Sequence, residues 1–441
     1  MKSYDATSGR IGGGWWTGAV ALSTVMTYRQ ATGDSSYDYA ISEGFNKNKS
    51  GNFINEYLDD VGWWALAWIQ AYDITGNTAY LQMARTDANF MHTYWDSTCG
   101  GGIYWSTQKA YKASIANELF LQVTAALHNR IPGDTTYLGW ANAEWNWFNG
   151  SGLINSSRLV IDGINVNTCG YNSSTFTYNQ GVVLAGLAEL SRATGNTGLL
   201  TTARSTADAA TTRMVRNGIL TENCEPNNCG ADGPAFKGIF IRGLRTLATA
   251  ANTTAYDGFI QTQANSIITR NTNSAGQHGL VWAGPVQGVN YNTQASAAAA
   301  LVAALGGSTP PTQSGVLRGQ ESGRCVDVPG GSQNNSTVVA LWDCTGGSNQ
   351  AWTSNSTTRA LTVYGNKCLD VRSSGTTDGT PVQIYDCNSS GAQQWNLNAD
   401  GSVVNVGSGK CLDATAHGTA NGTLLEIWTC TGGTNQKWAR S

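Results

Sequence analysis

Two acidic residues stand side by side, Asp59 and Asp60, and Val61-Gly62-Trp63-Trp64-Ala65-Leu66-Ala67-Trp68 follows at once. That following run is apolar nearly all round, the pattern of a helix buried on both sides. Neighbouring residues inside a regular helix point about 100° apart and do not face each other. Where a helix begins, non-helical angles are available, and both carboxylates can face one cleft. The amides of a helix N-terminus favour an anion there. Trp63 and Trp64 could form a dry wall that raises the pKa of the second carboxyl. One ionised and one protonated carboxyl about 5–5.5 Å apart can displace a glycosidic bond twice, with retention of configuration. The same residues also fit an ordinary N-cap Asp with an acidic first turn.

Composition narrows the ligand. Charged residues make up 12% of the 441 residues and the formal net charge is -3, so no basic field exists to hold nucleic acid. No apolar run reaches the ~18 residues of a membrane span, and no membrane partner is expected. Sixteen Trp and seventeen Tyr, set among abundant Gly, Ser, Thr and Asn, offer aromatic faces beside uncharged hydrogen-bonding groups. A neutral hydroxylated ligand, a sugar, suits that surface. His92, His128, His278 and His417 lie far apart, and Cys224 and Cys229 have no second pair beside them. Neither a metal nor another cofactor is expected. Ten cysteines in a low-charge chain point to an oxidising compartment. Met1-Lys2-Ser3-Tyr4-Asp5 contains no apolar signal region. The mature protein is therefore expected to be secreted, with its signal removed, and to act as a monomer.

The elements that would carry the acidic pair form a loose repeat. Apolar runs Trp15–Tyr28, Trp63–Tyr72, Ile115–Leu127, Gly181–Leu190, Gly238–Leu247 and Ala295–Leu305 read as six buried helices. Turns such as Thr32-Gly33-Asp34, Thr75-Gly76-Asn77, Pro132-Gly133-Asp134 and Thr194-Gly195-Asn196 follow them, with Gly ending one helix and Asp or Asn capping the next. Six inner helices with about five outer ones predict a closed toroid of hairpins, an all-α (α/α)6 barrel over 1–305. The long connections 97–110, 162–178 and 221–236 would gather at one end, where a scaffold presents its site. Cys224 and Cys229 can bridge within one of them, and Cys99 and Cys169 could join two.

Residues 306–314, rich in Gly, Ser, Thr and Pro, read as a linker. Beyond them, over 315–441, the chain repeats with a period of 43. Cys325, Cys368 and Cys411 keep that spacing, as do Cys344, Cys387 and Cys430. So do Asp327, Asp370 and Asp413, and Trp342, Tyr385 and Trp428. Gln350-Ala351-Trp352, Gln393-Gln394-Trp395 and Gln436-Lys437-Trp438 close the units. Each unit can close its own disulfide: Cys325–Cys344, Cys368–Cys387 and Cys411–Cys430. Three all-β units that cannot bury a face alone should assemble about a pseudo-threefold axis. The region resembles the ricin-type β-trefoil, carbohydrate-binding module family 13. The resemblance implies a sugar pocket in each unit, with the Asp accepting from hydroxyls, the aromatic stacking and an Asn-Gln pair adding polar contacts. Those residues are Asp327, Trp342, Asn349 and Gln350, then Asp370 and Tyr385, then Asp413, Trp428, Asn435 and Gln436. Ala392 stands in unit two where the others carry Asn.

Returning to the acidic pair, Asp59-Asp60 with Trp63-Trp64-Ala65-Leu66-Ala67-Trp68 resembles glycoside hydrolase family 76. Gly101-Gly102-Ile103-Tyr104-Trp105, Lys112 to Asn117, Asp162-Gly163, Tyr178-Asn179-Gln180-Gly181 and Phe236-Lys237-Gly238-Ile239-Phe240 add to the resemblance. It implies a retaining endo-α-1,6-mannanase without a metal, with Asp59 as nucleophile and Asp60 as acid/base. Trp63, Trp64, Trp105, Tyr111, Asn117, Asp162, Tyr178, Asn179, Gln180, Phe236 and Lys237 are the candidate substrate contacts. Leu58 departs from the aromatic expected before the pair. The expected ligands are α-1,6-mannan for the barrel and a polysaccharide for the trefoil. The alternatives are a mannan transglycosylase using the same glycosyl-enzyme and a non-catalytic mannan-binding lectin.

Overall fold

A helix that is apolar on every side needs partners on every side, and a closed ring of helices supplies them. In the computed structural model, residues 3–306, 313–354, 359–388, 390–398 and 400–440 are described. The chain divides into two units, Met1–Gly307 and Ser308–Ser441. Within the first, the helices are α1 (Trp15–Thr32), α2 (Tyr39–Asn48), α3 (Leu58–Thr75), α4 (Thr78–His92), α5 (Ser114–His128), α6 (Thr136–Gly150), α7 (Thr177–Thr194), α8 (Gly198–Arg213), α9 (Gly233–Ala250), α10 (Asp257–Arg270) and α11 (Tyr291–Gly306). The odd-numbered helices each pack on the next, and α11 packs back on α1, which closes the ring. The even-numbered helices form an outer layer: α4 lies on α3, α6 on α5, α8 on α7 and α10 on α11.

Local chemistry sets the hairpins. Gly33, Gly76 and Gly195 end α1, α3 and α7 in the left-handed conformation that glycine adopts without a Cβ penalty. The Asn77 side chain then accepts from the Ala79 amide at 3.0 Å and starts α4. The closest crossing is α7 on α9. A Cβ on Gly243 would lie 2.0 Å from the Gly181 carbonyl oxygen, so the two backbones touch there.

The second unit is built from three hairpins of one register. Cys325–Asp327 pairs with Ala340–Trp342, Lys367–Val371 with Thr380–Asp386 and Cys411–Ala414 with Leu425–Trp428. Further pairings join one repeat to the next, as Thr337–Val338 does with Gln383 and Ile384. Trp352, Trp395 and Trp438 fill the centre. Their indole N–H groups donate to the carbonyls of Val326, Leu369 and Leu412 at 2.8, 2.9 and 3.0 Å. A buried indole N–H is most stable with such a partner. Five disulfides close: Cys325–Cys344, Cys368–Cys387, Cys411–Cys430, Cys224–Cys229 and Cys99–Cys169. Residues 307–312 of the expected linker lie outside the described residues. Gln313–Gly315 is already a strand, paired with Trp352–Ser354, so the second unit begins earlier than its sequence suggests.

Candidate active site

The inner helices all run the same way round the ring, so their positive N-terminal ends gather on one face. A cleft of about 220 Å³ lies there, lined by Trp16 of α1, Asp59 and Trp63 of α3, Ile115 of α5, Tyr178 of α7 and Phe236 of α9. The three long connections supply Trp105, Asp162 and Asp232 to the same cleft, and the strand Tyr111–Ala113 supplies Tyr111 and Ala113. Aromatic rings make its walls. Tyr178 and Phe236 stack at 3.9 Å, nearly parallel, and Trp16 lies 5.8 Å from Trp63.

Asp59 and Asp60 occupy the first turn of α3. Asp59 faces the cleft, where the Trp105 indole donates to its Oδ2 at 3.1 Å. Its Oδ1 is buried and accepts no hydrogen bond among the described residues. Trp105 is itself fixed to the start of α3, since the Leu58 amide donates to its carbonyl at 2.8 Å. Asp60 is only 8% exposed, and Asn55 Nδ2 donates to its Oδ2 at 2.6 Å. Burial and the neighbouring Asp60 charge push Asp59 up to about 7. Burial, aided by the Asp232 charge, pushes Asp60 up to about 6. Between about pH 6 and 7 the two carboxyls titrate together, and the pair as a whole holds about one proton, on Asp59 more than on Asp60.

Asp162 stands on the cleft wall. Tyr111 Oη donates to its Oδ2 at 2.7 Å and Asn172 Nδ2 does so at 2.9 Å. Of the other candidates, Trp63, Trp105, Tyr178 and Phe236 line the cleft, and five do not. Trp64 is a core residue, packed between Trp15, Phe53 and Trp68. Asn117 is fully buried; its amide holds both the N–H and the carbonyl of Ile103, fixing the Gly101–Ile103 loop. Gln180 does the same for Val160. Lys237 pairs with Glu225 at 2.5 Å and donates to the Leu280 carbonyl at 2.8 Å. Asn179 is buried inside the ring, away from the cleft lining. None of these five lines the cleft. Burying a polar group without a partner is costly, and loop backbones and an ion pair supply partners to Asn117, Gln180 and Lys237.

In the β unit, each Asp shares one face of its hairpin with an exposed aromatic. Asp327 Oδ2 accepts from Asn349 Nδ2 at 2.7 Å and from Gln350 Nε2 at 2.8 Å. Asp413 repeats the arrangement with Asn435 and Gln436, both at 2.8 Å. Gln350 and Gln436 are fully buried, so they orient the carboxylates instead of reaching outward. Trp342, Tyr385 and Trp428 are 44%, 38% and 41% exposed, unusual for large aromatics and fitting for stacking platforms.

Residues 1–314 match the model of glycosyl hydrolase family 76, about seven-tenths of the sequence. The chain belongs to that family. Residues 313–438 match the ricin-type beta-trefoil lectin domain. The mannan endo-1,6-alpha-mannosidase DFG5 of Saccharomyces cerevisiae is 30% identical over 253 residues, covering 53% of this chain and 53% of that protein. The mannan endo-1,6-alpha-mannosidase DCW1 of Candida glabrata is 29% identical over 266 residues, covering 53% of this chain and 58% of that one. The chain thus spans a little over half the length of these curated relatives. The alpha-1,6-mannanase GH76A of Salegentibacter sp. HEL1_6 superposes with a TM-score of 0.63 at 24% identity, over 69% of this chain and 95% of that one. At that identity the likeness is one of fold.

Two further residues of the cleft, Trp16 and Asp232, carry no motif signal in the sequence. Trp16 Nε1 donates to Asp232 Oδ1 at 3.0 Å, joining α1 to the N-cap of α9 across the rim. Asp232-Gly233-Pro234 reads as an ordinary cap, and its place in a site-end connection was the one available signal.

Lys112 illustrates how the site is supported. Its Nζ is buried among Asp96 Oδ1 at 2.9 Å and the carbonyls of Thr98, Gly101 and Gly102 at 2.9, 2.7 and 2.8 Å. Lys112→Met should leave these acceptors buried without a donor and lower unfolding stability by about 3–5 kcal/mol. Chemical denaturation of the two proteins measures it; a change below about 1 kcal/mol would mean that water replaces the ammonium.

Proposed function

We propose that the chain is a secreted, retaining endo-hydrolase of α-1,6-linked mannan, held on polysaccharide by its trefoil. The observation that carries this reading is the consecutive pair Asp59 and Asp60 in the first turn of α3, with Asp59 lining an aromatic cleft and Asp60 buried behind that lining. The pair reacts in the form with its one proton on Asp60, and the ionised Asp59 carboxylate attacks the anomeric carbon. Asp60 gives its proton to the departing glycosidic oxygen, and a mannosyl–Asp59 ester results. Asp60, now ionised, takes a proton from water as that water attacks the same carbon, and Asp59 is released. Trp105 orients Asp59, and Asn55 occupies one oxygen of Asp60, leaving Oδ1 for the proton. Trp16, Trp63, Tyr178 and Phe236 offer apolar faces to the sugars, while Asp162, Tyr111 and Asp232 offer polar groups.

The comparisons support the substrate class. The curated relatives are named mannan endo-1,6-alpha-mannosidases. A Salegentibacter variant with two consecutive aspartates replaced is inactive and forms a complex with alpha-1,6-mannotetrose. Five disulfides suit an extracellular protein. The test is a time course on linear α-1,6-mannan followed by NMR. Oligosaccharides of several lengths should appear early, with the α-anomer formed first. Release of mannose alone, or of the β-anomer first, would reject the endo or the retaining part.

The trefoil reading has its own test. Changing Trp342 and Trp428 together to Ala removes two stacking platforms. Activity on insoluble mannan should fall about tenfold or more, because two weak sites on one module act together. Activity on short soluble oligosaccharides should stay within about twofold. Equal losses on both substrates would mean that the module serves the barrel's stability instead.

A further inference from the structure

The three hairpins of the trefoil share one register, and one position in each differs chemically. Asp327 pairs across its hairpin with Ala340, Asp370 with Gln383 and Asp413 with Glu426. Opposed residues of an antiparallel pair put their side chains on one face. The exposed aromatic, two residues further on, lies on that same face. In unit two the contact is made: Gln383 Nε2 donates to Asp370 Oδ1 at 2.9 Å, and Gln393 Nε2 donates to Oδ2 at 3.0 Å. Both oxygens are filled. In unit one, Ala340 carries no polar group.

Unit three sets acceptor against acceptor. Asn435 and Gln436 both serve Asp413 Oδ2, and no hydrogen bond among the described residues reaches its Oδ1. Glu426 is partly buried, and burial with the Asp413 charge pushes its carboxyl up. A Cβ on Gly379 would meet the Trp428 ring at 3.8 Å and Glu426 Oε2 at 3.9 Å. Ring and carboxylate therefore border one hollow that the glycine leaves open. The nearby charges are engaged elsewhere: Asp378 pairs with Lys410 at 2.6 Å and His417 faces Glu321 at 3.2 Å. Neither Asp413 nor Glu426 has an ion pair among the described residues.

We propose that the third pocket of the trefoil binds a cationic 2-amino-2-deoxy sugar, with its ammonium between Asp413 and Glu426 and its ring on Trp428. This rests on the reading of the trefoil as a sugar-binding module. Asn435, Gln436 and the Thr415 hydroxyl bring donors to the pair but no charge; an ammonium supplies that charge with further donors, and it lies favourably beside an indole face. A neutral hydroxyl supplies donors alone. Units one and two, with Ala340 and Gln383, have no second carboxylate and gain nothing from the charge.

The test titrates the full chain by calorimetry at pH 6.5 with three tetramers of one backbone: the β-1,4 glucosamine tetramer, its N-acetylated form and cellotetraose. The glucosamine tetramer should bind about tenfold or more tighter than the other two. Glu426→Gln and Trp428→Ala should each abolish that preference, whereas Trp342→Ala should leave it. Melting curves check that the variants fold. No preference, or a preference that survives Glu426→Gln, would overturn the inference. Retention on mannan and xylan columns separates the underlying reading. If Trp342→Ala with Trp428→Ala does not weaken retention there, the trefoil's role as a sugar-binding module fails. If retention weakens but no amino-sugar preference exists, only this inference fails.

Discussion

Asp59→Asn should lower turnover on α-1,6-mannan by roughly four orders of magnitude or more while making the folded barrel more stable above pH 7. The first effect follows from removing the atom that forms the ester: an amide is a poor nucleophile and cannot be ionised. The second follows from burial. Asp59 titrates near 7 in the folded state, against 3.8 for an exposed carboxyl. The folded state therefore favours the protonated form. The associated stability is full below pH about 4 and is lost as pH climbs through about 7. At pH 8 the wild type holds a charge in a poorly solvated place, and Asn does not. Because Asp59 keeps partial access to the cleft, the gain is on the order of 2 kcal/mol, less than the full shift implies. Melting curves at pH 4.5 and pH 8 test it. The variant should melt with the wild type at the lower pH and a few degrees above it at the higher. Near-normal turnover would reject the nucleophile assignment. Equal destabilisation at both pH values would reject the burial argument.

Asp60→Ala should separate the two halves of the reaction. A sugar leaving group needs its oxygen protonated as the bond breaks, so mannan hydrolysis should fall about 10³-fold. An activated aryl α-mannoside leaves without that proton, and its ester should form at close to the normal rate. The ester then accumulates, because no base activates water. Azide needs no base. It should restore turnover of the aryl substrate and yield a mannosyl azide of α configuration. The wild-type pH profile should be bell-shaped, losing rate below about pH 6 as the pair takes up a second proton and above about pH 7 as it loses its last. In the variant assayed with azide on the aryl substrate, the alkaline limb should disappear. Equal losses on both substrates, with no azide product, would remove Asp60 from the acid/base role.

What the sequence conveyed and what it withheld divide along physical lines. The inner helices were legible because their apolar residues run all round, as at Trp63-Trp64-Ala65-Leu66-Ala67-Trp68. The trefoil was legible because a period of 43 in Asp, Cys and aromatic positions leaves little freedom. The acidic pair stood out because two carboxylates opening an apolar helix ask for a reason. Buried polar residues were harder. Asn117, Gln180 and Lys237 sit in apolar surroundings either to meet a ligand or to satisfy a loop's backbone, and the one-dimensional pattern is the same for both. The structure gives them to the backbone of Ile103, to that of Val160 and to Glu225. Asp232 failed in the opposite sense: its place before α9 reads as a cap, yet its side chain makes no cap hydrogen bond and instead accepts from Trp16 at the cleft.

The contact of α11 with α1 joins the first and last helices of the ring. Each helix of an open helical array needs only its sequence neighbours, and such an array can stop at any hairpin. This one cannot. A nascent chain that has emerged only through α9 carries two bare apolar flanks, one on α1 and one on α9, each waiting for the same absent helix. The barrel therefore has to be synthesised almost to its end before its seam can be sealed. Until then the unsealed flanks of two incomplete chains are as complementary to each other as to α11, which makes premature release or truncation within the last hairpin a route to intermolecular ring-swapping and aggregation.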